Sequence, residues 1–302
     1  MRKKSGFVAI IGSPNAGKST LLNAVLGQNI SIVTSKPQTT RNKIFGIYTK
    51  ENIQIVFVDT PGILDPKYKL QQFMNREIDS SLHDAEIIMM VVDAGKFDIE
   101  SLKEIHLRYS NEFSSHKMFC VLNKIDLLSK EEVLHMIKNV SDNIKFDEII
   151  PVSAITKFNV DDIIKTITKY LPESEFYFDG DAVTPQPEKF FVSEIIRRNI
   201  LKQYRDEIPF SVYVDIDEFR ERDNGKDFIR ASIIVERDTQ KAIVVGAGGL
   251  KIKHLGSASR KEIEELLGRQ VFLELFVKVK KDWKNDEDFL RKNFNKLGTS
   301  TV

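Results

Sequence analysis

Through the first half of the chain, short apolar runs rich in β-branched residues alternate with stretches whose apolar positions recur every three or four residues. Residues 7–11, 54–59, 86–93, 117–123 and 148–152 read as strands buried on both faces, since no regular polar alternation interrupts them. Residues 18–26, 70–82, 99–113, 130–144 and 159–171 carry the helical period. This alternation predicts a doubly wound α/β domain, a parallel sheet covered by helices.

The pattern breaks after Leu171. Pro172, Gly180, Pro185 and Pro187 fall among acidic residues, so residues 172–187 are expected to link two domains, 1–171 and 188–302. Beyond them the order becomes helix (189–204), strand (212–219), strand (228–236), a short helix, the glycine turn Gly246-Ala247-Gly248-Gly249, helix (250–267) and strand (271–280). That is an α+β arrangement with a glycine turn between two helices. A length of 302 residues gives each half enough chain to bury its own core.

Composition narrows the class. With 41% hydrophobic and 29% charged residues the chain is an ordinary globular protein, and its longest apolar runs fall well short of a membrane span. The basic start, Arg2-Lys3-Lys4, is followed by a strand pattern interrupted by Asn15 and Lys18, which argues against a secretory signal and for a cytoplasmic protein. The single cysteine, Cys120, lies inside an apolar run and is expected to be a buried thiol without a catalytic part. A net charge of +1 means that any nucleic-acid site must be local, and the basic excess lies weakly toward the second half.

The turn between the first strand and helix reads Gly12-Ser13-Pro14-Asn15-Ala16-Gly17-Lys18-Ser19, a match to G-x-x-x-x-G-K-S/T. Glycines let backbone N–H groups of Asn15, Ala16 and Gly17 turn onto phosphate oxygens, and the helix that opens with Lys18, Ser19 and Thr20 adds its positive end. Lys18 should reach the β- and γ-phosphates and the Ser19 hydroxyl a Mg²⁺ ion. Asp59-Thr60-Pro61-Gly62 follows the next buried strand, which places a carboxylate for a Mg²⁺-bound water and a glycine N–H for the γ-phosphate. Asn123-Lys124-Ile125-Asp126 follows another. The Asp126 carboxylate accepts from the guanine N1–H and 2-amino group, whereas adenine would leave that charge unpaired. Ser153-Ala154 would complete the base pocket through the Ala154 N–H.

In this order the motifs resemble the translation-factor-related GTPases, and Lys36-Pro37-Gln38-Thr39-Thr40-Arg41 fits their first switch. The resemblance implies that Thr40, with Thr39 as the alternative, closes onto Mg²⁺ and the γ-phosphate. Lys18, Thr40 and Gly62 are then the candidate catalytic residues, and Ser19, Thr40 and Asp59 the candidate metal residues. Ile63 stands where Ras-like GTPases carry a glutamine, and an alkyl group cannot orient the attacking water, so slow intrinsic hydrolysis is expected.

The run Gly246 to Gly249 between two helices matches the G-x-x-G loop of KH domains, and Lys251, Lys253 and His254 follow it at once. Gly246, Ala247, Gly248, Gly249, Lys251, Lys253 and His254 are therefore candidate RNA contacts. With Ser193-Glu194-Ile195-Ile196-Arg197 and Leu273-Glu274-Leu275-Phe276-Val277-Lys278-Val279-Lys280 followed by Trp283, nearly the whole chain resembles the Era family of bacterial GTPases. The resemblance implies a P-loop GTPase domain joined to a KH-type RNA-binding domain, and a monomer that binds the 3′ end of small-subunit ribosomal RNA. It also implies assistance to small ribosomal subunit assembly and peripheral association with the cytoplasmic membrane. Two departures are notable. Ala247-Gly248 sits where a basic residue is usual, which puts more weight on Lys251 and Lys253, and Phe276 replaces a tryptophan, a change expected to be absorbed in packing. Trp283 is expected to anchor a surface, with base stacking as the alternative.

Overall fold

The structure, a computed structural model, describes residues 2–34, 36, 38–222 and 225–294; Pro37 of the first switch and the tail 295–302 lie outside that description. The first half runs β1 (Lys4–Ile11), α1 (Lys18–Leu26), β2 (Ile44–Lys50), β3 (Ile53–Asp59), α2 (Lys69–His83), β4 (Ile87–Asp93), α3 (Ile99–Arg108), α4 (Ser110–Ser115), β5 (Lys117–Asn123), α5 (Lys130–Asn143), β6 (Glu148–Pro151) and α6 (Val160–Tyr170). The second runs α7 (Glu188–Gln203), β7 (Tyr213–Arg220), β8 (Asp227–Val235), α8 (Asp238–Val245), α9 (Leu250–Leu267), β9 (Val271–Val279) and α10 (Glu287–Phe294).

Six strands form the first sheet in the order β2-β3-β1-β4-β5-β6, parallel throughout except for β2. Its central strands are apolar on both faces because helices cover both. Val8, Ile10, Phe57, Met89 and Phe119 pack on the side of α1 and α6, and Ala9, Ile11, Ile88, Met90 and Cys120 on the side of α2, α3 and α5. Cys120 is fully buried, and burial raises its thiol pKa, which keeps it protonated. The antiparallel edge strand β2 is absent from the sequence reading. It hairpins onto β3 through Glu51-Asn52, with Glu51 at a φ of 52°. The stretch expected as one helix over 99–113 breaks at Tyr109, whose φ of −111° and ψ of 22° leave helical geometry.

The expected linker is fastened rather than loose. Val183 accepts from the Ile47 N–H at 2.8 Å and Gln186 Oε1 from the Phe45 N–H at 3.1 Å, so the segment follows the otherwise open edge of β2. The buried Gln54 amide donates to the Phe178 carbonyl at 2.8 Å and accepts from the Tyr177 and Phe178 N–H groups.

The second sheet has the order β7-β8-β9, with β8 and β9 parallel, and α7 and α9 pack on one face over Ile196, Ile200, Val214, Ile229, Ala231, Ile233 and Leu255. Two expectations fail on its other face. Phe276 is 48% exposed, because the alternation along β9 turns Leu273, Leu275 and Val277 to the core instead, so it is not absorbed there. Trp283 is 0% exposed and anchors no surface; it packs against Tyr213 and Phe289, and its Nε1 donates to the Ser211 carbonyl at 3.1 Å. That cluster includes Leu70, Phe73 and Met74 of α2, so the two halves of the chain share a core.

Candidate functional site

A cleft of about 400 Å³ opens at the C-terminal ends of β1 and β3, lined among others by Asn15, Gly17, Lys18, Ser19, Thr20, Thr40, Gly62 and Lys124. It lies where ligands bind in open α/β sheets, outside the carboxyl ends of the strands. Two glycines are needed for distinct reasons. A Cβ on Gly12, at a φ of 144°, would meet the Val91 carbonyl at 2.2 Å, and one on Gly17, at 94°, would meet Asn123 Nδ2 at 2.3 Å. The loop is thus pressed against β4 on one side and against the Asn123 turn on the other.

Lys18 Nζ donates to the carbonyls of Gly12 and Ser13 at 2.9 and 3.0 Å. Burial lowers its pKa to about 8, against the pull of Asp59. Asp59 is fully buried, and burial raises its pKa against the Ser19 hydrogen bond and the Lys18 charge. Ser19 Oγ donates to Asp59 Oδ2 at 2.7 Å and lies 3.0 Å from Thr40 Oγ1. Asp59 Oδ1 is buried without a partner among the described residues. Three oxygen-bearing side chains and an orphaned carboxylate oxygen make a hard-donor set that fits Mg²⁺. Thr39, the alternative, also lines the cleft, but its hydroxyl donates to the Lys36 carbonyl at 2.6 Å and lies 2.7 Å from Thr34 Oγ1.

Gly62 sits against the phosphate loop, where a Cβ would come within 2.8 Å of Pro14 Cα. The next residue, Ile63, is buried and belongs to the apolar cluster on the α2 side of the sheet, so its side chain is part of the core. Asn123 is the tie between loops: its Nδ2 donates to the Ala16 carbonyl at 3.0 Å, and its Oδ1 accepts from the Lys124 N–H at 2.9 Å and the Ala154 N–H at 3.0 Å. The Ala154 N–H expected to read the base is therefore engaged by Asn123. Ser153, also buried, uses its Oγ to accept from the Thr156 N–H at 3.2 Å. Asp126 stands exposed in the short turn Ile125–Leu127. Lys124 pairs with Asp93 at 2.6 Å, and Lys96 lines the cleft from the turn after β4. Neither Asp93 nor Lys96 belongs to a motif, which is why the sequence reading passed over them.

In the second half, Gly246, Gly248 and Gly249 take φ values of 73°, 56° and 75°, which makes the tight turn between α8 and α9. Beside it lies a groove of about 300 Å³ lined by Ile252, Lys253, Gly256, Arg260, Phe272 and Leu275. Of the expected basic contacts only Lys253 lines it. Lys251 lies over Gly246, and His254 faces α7, 3.3 Å from Gln203 Oε1. Arg260 joins the groove two helical turns beyond Lys253, a spacing that carried no motif.

The two sites are joined through the first switch. Arg41 is 2% exposed, and its guanidinium donates to the carbonyls of Val212 at 2.6 Å and Pro209 at 3.2 Å while lying 6.0 Å from the Trp283 ring. Lys36 donates to the Tyr204 carbonyl, and the Tyr204 hydroxyl donates to the Val244 carbonyl at 2.9 Å, two residues before the glycine turn.

A phosphate-binding loop on a doubly wound sheet, followed by a helix-glycine turn-helix on a small sheet, defines a P-loop GTPase carrying a KH domain. The 50S ribosome-binding GTPase family matches residues 7–124, and the KH domain family matches residues 207–284. The chain is 45% identical over 296 residues to the GTPase Era of Lactobacillus delbrueckii subsp. bulgaricus, covering 96% of this chain and 95% of that protein, and 43% identical over 294 residues to that of Lactobacillus helveticus, covering 95% of each. It resembles a solved Aquifex aeolicus Era variant bound to GDP and aluminium fluoride (TM-score 0.91, 38% identity, 95% of this chain and 98% of that one). An Era in complex with MgGDPNP and nucleotides 1506–1542 of 16S ribosomal RNA matches as well (TM-score 0.91, 38% identity, 96% and 98%). The chain belongs to the Era family of GTPases.

Proposed function

We propose that the chain is a Mg²⁺-dependent GTPase switch that binds small-subunit ribosomal RNA near its 3′ end and assists small ribosomal subunit assembly. The observation that carries it is the union on one chain of the Ser19, Thr40 and Asp59 cluster with a glycine-turn groove, in the architecture of a relative bound to both MgGDPNP and 16S RNA. The matched GTPase family is described by the large subunit, but that match stops at Lys124, while the likeness to the 16S-bound relative covers both sheets.

In this reading residues 1–171 are the GTPase domain, 172–187 the linker and 188–302 the KH-type domain. Gly12, Asn15, Ala16, Gly17, Lys18, Ser19 and Thr20 hold the phosphates. Asn123, Lys124, Asp126, Ser153 and Ala154 form the base pocket, with Asn123 and the Ala154 N–H as its frame. Ser19, Thr40 and Asp59 hold the Mg²⁺, which supplies charge neutralisation on the β- and γ-oxygens. Lys18 meets the phosphate charge, and the Gly62 N–H meets the γ-phosphate. RNA lies along Gly246, Ala247, Gly248, Gly249, Lys251 and Lys253, with His254 at its margin. No helix among the described residues is long and apolar enough to cross a membrane, and we place the protein in the cytoplasm as a monomer with peripheral attachment to the membrane.

The test is GTP turnover with and without single-stranded RNA of the 16S 3′ end, together with crosslinking to small-subunit precursors. Crosslinks confined to other RNA, or no GTP turnover in either condition, would refute the proposal.

A further inference from the structure

Ser31 belongs to none of the motifs above and is 2% exposed. Its Oγ donates to Asp59 Oδ2 at 3.0 Å, the same oxygen that accepts from Ser19 at 2.7 Å. The backbone around Ser31 is held by other means. Asn23 of α1 accepts from the Ile30 and Ser31 N–H groups at 2.9 Å each and returns a hydrogen bond from Nδ2 to the Ser31 carbonyl at 2.8 Å. That three-point clamp fixes the chain where it leaves α1, independently of the Ser31 hydroxyl.

We propose that Ser31 is a positioning residue for the Mg²⁺ site, holding the Asp59 carboxylate in the rotamer that leaves Oδ1 for the metal's hydration shell. The proposal rests on reading Asp59 as a metal residue. Ser19 shares its hydroxyl between Asp59 and Thr40, and it must also serve the metal. The Ser31 hydroxyl makes its one hydrogen bond among the described residues to Asp59. Two donors on Oδ2 and, among the described residues, none on Oδ1 give the carboxylate a definite orientation, and groups that orient a metal's carboxylates control its affinity. Because Asn23 holds the loop through backbone atoms, Ser31→Ala removes the hydroxyl without freeing the segment.

The test is the release of a fluorescent GDP analogue from the full chain across a free Mg²⁺ titration, for wild type, Ser31→Ala, Ser31→Thr and Asp59→Asn. Ser31→Ala should raise the Mg²⁺ concentration for half-maximal retention about 10-fold, the scale seen when a group orienting a metal ligand is lost. Its GDP affinity in EDTA should match wild type, and Ser31→Thr, which keeps the hydroxyl, should keep the wild-type midpoint. An Asp59→Asn midpoint that moves while that of Ser31→Ala does not overturns the role of Ser31 alone. An unmoved Asp59→Asn midpoint overturns the metal reading and the proposal with it. Affinity lost equally with and without Mg²⁺ in Ser31→Ala assigns the hydroxyl to loop structure and also overturns it.

Discussion

Arg197 on α7 donates to the carbonyl of Thr39, one residue before Thr40, while its Nε holds Glu194 at 2.8 Å. The loop that carries a candidate metal residue is therefore gripped by a helix from the second half of the chain. Arg41 of the same loop lies close enough to Arg197 for the two charges to repel, and burial with that repulsion lowers the Arg41 pKa to about 10. Arg41 Nε and Arg197 Nη1 are buried without partners among the described residues. Buried nitrogens left unpaired cost stability, so this interface is less stable than full pairing would make it.

Arg197→Met should cost about 3–5 kcal/mol, because it leaves Glu194, 7% exposed, as an unpaired buried charge. Arg197→Met with Glu194→Leu should recover most of that loss, since both charges then leave together. Guanidinium denaturation of the nucleotide-free protein checks this; a double variant as unstable as the single one would show that the ion pair is not the cause.

Nucleotide binding should take up a proton above pH 8. The buried Lys18 ammonium is held to about 8 without phosphate, and phosphate charge in its place raises it. The sign follows from linkage. A lysine depressed by folding destabilises the free protein fully below pH 8, and that penalty fades as pH rises from about 8 toward the ordinary lysine value near 10.4. Calorimetry of GDP binding at pH 8.5, in buffers of different ionisation enthalpy, should show uptake on the order of half a proton or more, falling toward zero near pH 6.5. Buffer-independent heats at pH 8.5 would contradict it.

Asp126→Asn should move preference from guanine to xanthine nucleotides. Xanthine carries a carbonyl where guanine has its 2-amino group, so the amide donates where the carboxylate would be repelled. Asp126 stands exposed in a turn, so the substitution should leave the melting temperature of the free protein unchanged. Titration with XDP, GDP and ADP decides it, and equal binding of ADP and GDP by wild type would remove Asp126 as the discriminator.

The strands and helices that position the cleft were legible because each is a long apolar or periodic run, and α1 and α9 fall at the bounds that their patterns predict. The phosphate loop was legible because its glycines and Lys18 lie in one contiguous motif. What stayed hidden was set by tertiary contact. The Phe45-Gly46-Ile47-Tyr48 edge strand is defined by pairing to β3 and by a linker lying along it. Trp283 stands in the sequence among the charged residues Lys281, Asp282 and Lys284, yet Tyr213, Phe289 and the apolar face of α2 close over it from three separate stretches of chain. Asp93, Arg41 and Ser31 each act on a residue far away in sequence, and no local pattern reports that.

Trp283 is the chain's one tryptophan, so its emission reports the contact between α2, the first switch and the second sheet. Fully buried, it should emit to the blue of an indole exposed to water, and exchange of GDP for a non-hydrolysable GTP analogue should shift that emission as the Arg41 loop moves. Trp283→Ala should cost about 3–5 kcal/mol through the cavity it leaves. An emission maximum typical of water, or one unmoved by nucleotide, would show that the contact does not follow the switch.

RNA and GTP should bind cooperatively, since the first switch touches the second domain through Lys36, Arg41 and the Thr39 carbonyl, and Tyr204 continues from Lys36 to Val244 beside the glycine turn. Linkage makes the effect reciprocal: if the GTP state of Thr40 favours the arrangement that admits RNA, bound RNA must favour GTP over GDP by the same factor. A coupling of about 1–3 kcal/mol corresponds to roughly a 5- to 150-fold difference in RNA affinity between nucleotide states. Gly249→Asp isolates the RNA arm. Its Cβ would meet nothing within 4 Å, and aspartate is among the residues that best tolerate a left-handed φ such as the 75° found here, so the turn should persist while the added negative charge repels the phosphate backbone. RNA binding by that variant should be lost and its GDP affinity kept, as measured by fluorescence anisotropy of a labelled 3′-end oligonucleotide and of labelled GDP. Equal RNA affinity of the wild-type protein with GDP and with the GTP analogue would mean that the contacts through Arg41 and Arg197 fasten the domains together without transmitting the state of the nucleotide.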